Sequence, residues 1–207
     1  MAEALIAGVV LTGGRSKRMG GVIKAHILFD DKPLIQHVID RVKPQVGRMM
    51  LSVEMLSDEF VPYGLRQIAD PRPGSCGPLG GLLAALSMLD DDNGKWLFLA
   101  PCDAPFLPLN LAEKLQQRAV ESGAKGCIAR YQEELQPTFS IWNQSLLPEL
   151  KAAVLEEGMS GFKQFLGIWP MAILDWEASD ISPFFNINDP DSLSEAQLLS
   201  KQGLMRN

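Results

Sequence analysis

The chain has 207 residues, is 46% hydrophobic and 21% charged, and carries a net charge of −6, a composition that suits one domain with a full core. Its pI near 5.0 excludes nucleic-acid binding as the main activity. The apolar runs are short and broken by Gly, Pro or charge, which excludes a membrane span, and the start "MAEALIAGVV" lacks the basic stretch and cleavage site of a signal peptide.

Residues 5–11 form a continuous apolar run of the kind buried on both faces of a sheet, so the first predicted element is a strand. Apolar positions Leu34, Ile35, Val38, Ile39 and Val42 then recur at helical spacing between Pro33 and Pro44. "RMMLSV" and the shorter "LRQIAD" are the next strands, and residues 77–89 are a helix entered through "GPLGG". "KWLFLAPCD" is a strand that stops at Pro101, and residues 110–121 are a helix with Asn110 as its cap. "KGCIAR", "PTFSIW" and "MAILDW" are further strands, with helices over 144–157 and 190–199. Strands alternating with helices imply right-handed crossovers and a single three-layer α/β/α, Rossmann-like domain over 1–207 with a mostly parallel sheet. Cys76, Cys102 and Cys127 are odd in number and without metal-ligand spacing, so they read as reduced thiols in a cytoplasmic protein.

Ligands of such sheets bind beyond the carboxyl ends of the strands. The three most unusual stretches, "LTGGRSKRMGG", "ADPRPGSCGPLGG" and "APCDAP", each follow a predicted strand and should converge on one rim. The first holds four glycines and three basic residues, and no acid occurs between Ala4 and Phe29. Glycines let several amides approach one anion, and Arg15, Lys17, Arg18 and Lys24 add charge, so the loop suits a triphosphate. No Gly-Lys-Ser/Thr follows, as a Walker loop requires, and the Gly-x-Gly-x-x-Gly of dinucleotide folds is missing. The loop taken alone also fits a mobile turn with solvated charges.

Asp103, at the end of a buried strand, is the best candidate for a magnesium ligand, the alternative being a carboxylate that caps its own turn. Cys102 beside it reads as a small buried hydrophobe. His26 and His37 belong to no nucleophilic constellation, and His37 is structural. The amides and carbonyls of "GPLGG" can approach a planar base, or the segment is only a helix entry. "FFNINDPD" carries Asn186 and Asn188 towards the same rim, or simply starts the last helix.

"LTGGRSKRMGGVIKAHILFDDKPLIQHV" resembles the signature of the molybdenum cofactor guanylyltransferases, Leu-Ala-Gly-Gly-x-x-x-Arg-Met-Gly-Gly-x-Asp-Lys. The resemblance continues through "DPRPGSCGPLGGL", "PCDAP", "QPTFSIW" and "NINDPDSL". It implies a nucleotide-diphospho-sugar transferase-like fold and GMP transfer from GTP to the phosphate of molybdopterin with loss of pyrophosphate. It implies Leu11, Thr12, Gly13, Gly14, Arg15, Lys24, Asp70, Gly80 and Asp103 at the nucleotide. Arg15 and Arg18 would contact phosphates, Lys24 would bridge them at the reacting phosphorus, Asp70 would hold the nucleoside, and Asp103 would ligate Mg²⁺. Arg18, Lys24 and Asp103 are the expected catalytic residues. The N-terminal half would bind nucleotide and the C-terminal half the acceptor, in a cytoplasmic monomer that makes transient contacts with other cofactor-biosynthesis proteins or molybdoenzymes.

The chain also departs from the family pattern. Ile23 replaces an Asp, Thr12 an Ala and Ser52 an Asn, and Ser160-Gly161 stands where some members carry an Arg pair. These departures keep two rivals open: transfer to another small phosphomonoester, or a non-catalytic nucleotide-binding descendant.

Overall fold

The apolar run near the start of the chain becomes the middle of a sheet. A computed structural model describes residues 6–13, 15–16, 22–72, 76–89, 95–179 and 181–201, the side chains at 15, 16 and 22 excepted. All six residues of β1 (Ile6–Leu11) are buried, as a strand covered on both faces requires. Short hairpin partners β2 (Arg15–Ser16) and β3 (Val22–Ile23) follow, then β4 (Leu28–Phe29) and β5 (Lys32–Pro33). The central sheet adds β6 (Arg48–Val53), β7 (Arg66–Ala69), β8 (Trp96–Pro101), β9 (Gly126–Tyr131), β10 (Glu134–Asn143) and β11 (Ala172–Asp175). Its order is β11-β9-β10-β8-β1-β6-β7. β10 runs against both neighbours and the remaining pairs are parallel, so the mostly parallel sheet holds. The β9–β10 register slips between Gln136 and Ser140, where Pro137 has no amide to give the ladder.

Two apolar layers cover the sheet. On one face α1 (Leu34–Val42) and α3 (Leu111–Glu121) press Ile35, Val38, Leu111 and Leu115 onto Val10, Leu51 and Phe98. On the other, α2 (Gly77–Leu86), α4 (Leu147–Leu155) and α5 (Phe162–Leu166) cover Val9, Met50 and Leu99. α6 (Pro190–Lys201) closes a third cluster through Ala196 against Phe29, Leu34 and Ile187. The α/β/α expectation is met, and no described helix is long and apolar enough to cross a membrane.

Asn110 occupies the cap position of α3 but makes no side-chain cap bond. The amide of Ala112 donates instead to Gln45 Oε1 at 2.9 Å, while Gln45 Nε2 donates to the carbonyls of Arg41 and Pro108 at 2.8 and 2.9 Å. One glutamine thereby satisfies helix-end groups of both α1 and α3. His37 is structural as expected: its Nε2 lies 2.8 Å from the Phe29 carbonyl and its ring centroid 5.0 Å from that of Phe29.

Because β1, β6, β7 and β8 are parallel, their carboxyl ends share one rim. The segments after β1, β7 and β8 are the three stretches singled out above.

Candidate nucleotide-binding site

The turn after β1 is clamped by its neighbouring strands. Thr12 donates twice to the Ser52 carbonyl, from its amide at 3.0 Å and from Oγ1 at 2.8 Å. The Cys102 amide donates to the Leu11 carbonyl and the Cys102 thiol to the Thr12 carbonyl, each at 2.9 Å. Threonine in place of the family's alanine thus adds a bond between the ends of β1 and β6. Gly13 then turns with φ +67°, a conformation that glycine adopts without strain. Cys102 is buried as expected, and burial pushes its thiol well above the ordinary range, so it stays protonated and donates its hydrogen bond as well as filling space.

Beyond Cys102, the chain delivers Asp103 into the crevice at 7% exposure. Its carboxylate accepts from Lys24 Nζ, which also donates to Asn188 Oδ1. The backbone supports this meeting: the Ile187 amide donates to the Asp103 carbonyl at 2.9 Å, bringing the 186–189 segment alongside. Residues 24, 103 and 188, far apart in sequence, form one polar knot beside the glycine turn. The carboxylate of Asp103 is engaged across the crevice by Lys24. Asn188 reaches Lys24, while Asn186 Oδ1 is enclosed without a hydrogen-bond partner among the described residues.

Lys24 stands on a 3-10 turn, Lys24–His26, whose Ala25 is buried. The His26 ring lies 5.1 Å from Phe60 and 6.0 Å from Tyr63 by centroids. Ile23 packs on the core beneath α1 and pairs with Arg15 in the β2–β3 ladder. Where the family places an aspartate, this chain therefore anchors the loop by apolar contact, and Lys24 takes its orientation from Asp103 and Asn188.

Next to the turn opens a cavity of about 340 Å³ walled by Leu11, Thr12, Gly13, Glu54, Asp70 and Pro78. The Asp70 carboxyl is pushed up to about 6, chiefly by burial and secondarily by the charge of Glu54, with a hydrogen bond from Ser52 working against both. Ser52 is buried, and a Cβ built on Gly81 would meet its Oγ at 2.2 Å. The serine at the family's asparagine position thus supports Asp70 from beneath rather than reaching far into the cavity.

Leu11, Thr12, Gly13 and Asp70 line the cavity, whereas Lys24 and Asp103 meet outside its lining, Asp103 following the Cys102 whose thiol is bonded to Thr12. Gly80 is buried in the α2 wall, where an added Cβ would lie 2.4 Å from Cys76 Cβ and 3.5 Å from the Asp70 carboxyl. Packing alone demands a glycine there, and Gly77 and Gly81 are the helix glycines that line the cavity. Gly14, Arg18 and the side chain of Arg15 lie outside the described residues. Glu54 escaped the sequence reading; it directly follows β6 and joins Ser52 in the cavity wall.

Ser160 contributes backbone where some members of the family carry arginine. Its carbonyl accepts from the Leu79 amide at 3.4 Å and would lie 2.6 Å from a Cβ on Gly77, whose φ is +49°. Gly77→Ala is therefore expected to lower the unfolding free energy by about 1–3 kcal/mol, through backbone strain and a clash that only main-chain movement relieves. Urea denaturation of the two proteins measures it.

The knot offers oxygen donors, one carboxylate from Asp103 and one neutral amide oxygen from Asn188. No group of three or more His, Cys, Asp or Glu capable of holding a metal occurs among the described residues. A hard cation that completes its shell with phosphate oxygens and water fits such a sparse donor set, and a structural transition-metal site does not.

Residues 8–168 match the MobA-like NTP transferase domain. The chain is 34% identical over 194 residues to a "Molybdenum cofactor guanylyltransferase" of Rhodopseudomonas palustris (strain BisB5), covering 93% of this chain and 92% of that protein. It is 30% identical over 200 residues to a protein of the same name from Shewanella woodyi, covering 95% and 98%. Among solved structures, the Archaeoglobus fulgidus molybdopterin-guanine dinucleotide biosynthesis protein A superposes with a TM-score of 0.75 at 22% identity, covering 95% of this chain and 99% of that one. A CMP:2-keto-3-deoxy-manno-octonic acid synthetase superposes with a TM-score of 0.71 at 14% identity, over 98% and 100%. These structural likenesses concern the fold.

Proposed function

We propose, from the premise that this chain belongs to the molybdenum cofactor guanylyltransferase family of MobA-like NTP transferases, that it transfers GMP from GTP to the terminal phosphate of molybdopterin. A phosphate oxygen of the acceptor attacks the α-phosphorus, the bond from that phosphorus to the bridging oxygen breaks, and pyrophosphate leaves. The carrying observation is the Lys24–Asp103–Asn188 knot, whose Asp103 follows a Cys102 bonded to Leu11 and Thr12, together with the cavity that Leu11, Thr12 and the glycine turn line.

The nucleophile is already ionised near neutral pH, so the residues need not remove a proton. What they must do is align two anions and neutralise charge. The turn at Leu11, Thr12 and Gly13 receives the nucleotide, Arg15 and Arg18 contact its phosphates, and Asp70 holds the nucleoside. Lys24 places its ammonium at the reacting phosphorus. Magnesium, when held by Asp103 with phosphate oxygens and water, supplies further neutralisation of the leaving pyrophosphate. The N-terminal half thus serves the nucleotide, leaving the C-terminal half to the acceptor. The three cysteines are buried and not joined in disulfides, which suits a reducing cytoplasm, and we assign the activity to a monomer that meets other cofactor-biosynthesis proteins or molybdoenzymes only transiently.

Calorimetric titration of GTP, CTP and ATP with magnesium, followed by a pyrophosphate assay with molybdopterin, tests the proposal. Selective GTP binding with turnover is expected. Stronger CTP binding, or binding without turnover, overturns it.

Asp70 adds a pH signature. Folding raises its carboxyl from about 3.9 to about 6. The free protein therefore loses stability from this group as pH climbs from about 4 through about 6, because the folded state favours the protonated form. Binding has the opposite sign, since only the ionised carboxylate accepts two donors from a nucleoside. GTP affinity should fall by about 10-fold per pH unit below about 6. The Asp70→Asn variant should lack that component, and a pH series of titrations on both proteins separates it from titration of the nucleotide itself.

A further inference from the structure

The ends of β6 and β7 place two carboxylates side by side. The ladder pairs Ser52 with Ile68 and Val53 with Ala69, and the Asp70 amide donates to the Val53 carbonyl at 3.0 Å. Glu54 and Asp70 follow directly on Val53 and Ala69, the last pair of that ladder. Met50, Ser52 and Ile68 share one face of the two strands, and Glu54 and Asp70 come two residues after Ser52 and Ile68, just past the strand ends. That face is the one α2 covers, because Met50 and Ile68 pack with Leu79 and Leu82. Glu54 and Asp70 both line the cavity, and their closeness is also felt electrostatically at Asp70.

Charge orients a nucleotide between these ends. A triphosphate is repelled by Glu54 and Asp70 and attracted by Lys24 and the glycine turn, so its base must lie toward the carboxylates. Guanine presents two adjacent N–H donors, N1–H and the 2-amino group. Adenine and cytosine present a ring-nitrogen lone pair beside their amino group, and that lone pair would face carboxylate oxygen. Asp70 is short, half-buried and hydrogen-bonded by Ser52. Glu54 is exposed at the lip, with one more methylene of reach.

We propose that Glu54 determines guanine specificity, its carboxylate accepting N1–H and the 2-amino group together. The proposal rests on the GTP reading above and assigns the residue that enforces it. Charge-assisted bidentate contacts of this kind discriminate strongly, because the mismatched base leaves a carboxylate facing a lone pair.

The test compares GTP, ITP and CTP on wild type, Glu54→Gln and Asp70→Asn, by calorimetric Kd and by kcat/KM for pyrophosphate release. ITP lacks only the 2-amino group. Wild type should prefer GTP over ITP by about 10-fold or more, and Glu54→Gln should weaken GTP by about 10-fold more than it weakens ITP. The same change should bring the GTP-to-ITP ratio close to unity with no change in the melting temperature. A Glu54→Gln protein that keeps the wild-type ratio overturns the proposal, and a ratio that collapses only in Asp70→Asn transfers the role to Asp70. Failure of wild type to bind any of the three overturns the GTP reading instead, and is distinguishable from either result.

Discussion

Asp103→Ala is expected to reduce kcat for pyrophosphate release by at least about 10³-fold while the protein stays folded. The carboxylate sits at the end of β8, 7% exposed, bonded to Lys24. Its backbone carbonyl, which accepts from the Ile187 amide, survives the substitution, and so the 186–189 segment keeps its place. Lys24 also retains Asn188 as an acceptor. The loss is therefore one negative charge and two oxygen donors, at the point where a hard cation would be held. Asp103→Asn preserves shape and one acceptor but removes the charge, and it should be nearly as inactive. Binding separates this from unfolding: without divalent ions, GTP should bind Asp103→Ala at least as tightly as wild type, because Lys24 no longer shares its charge with a carboxylate. Turnover that survives the substitution removes Asp103 from the reaction.

Most of the architecture was legible because a buried parallel strand has to be a run of apolar residues. The segments at β1, β6 and β8 are such runs, and their ends announced the rim. The hairpins β4–β5 and β9–β10 were not legible. Their turns place Asp30, Asp31, Gln132 and Glu133 at φ +47°, +60°, +47° and +67°, without the glycine or asparagine that signals such turns. α5 spans five residues, too few to show a period, and is held by burial of Phe162 and Phe165. The cap of α3 came from Gln45, a partner 67 positions away that no local rule reveals. At the site, composition marked the basic glycine turn, and Asp103 stood out as an acid closing an apolar strand. Lys24 and Asp103, 79 positions apart, meet because β8 pairs with β1 and brings the segments after both strands together. Glu54 looked like any polar residue at a strand exit until β7 set Asp70 beside it.

Lys24→Ala should lower kcat by about 10²–10³-fold, the loss of one preorganised charge aimed at the reacting group, with a smaller change in GTP affinity. Lys24→Arg should restore little of it: a planar fork does not replace a compact ammonium held between Asp103 and Asn188. Stability provides a second and independent reading. Lys24 and Asp103 side chains are 16% and 10% exposed, so deleting the lysine leaves an enclosed carboxylate without its cation. Breaking such a pair from one side destabilises more than removing both charges together. Lys24→Ala should therefore melt below wild type, and Lys24→Ala/Asp103→Ala should recover part of that loss while remaining inactive. The effects on turnover should be far from additive, since the two groups act on one bond-breaking event. Additive losses in kcat, with no recovery of stability in the double variant, would show that the pair seen at the crevice does not work as a unit.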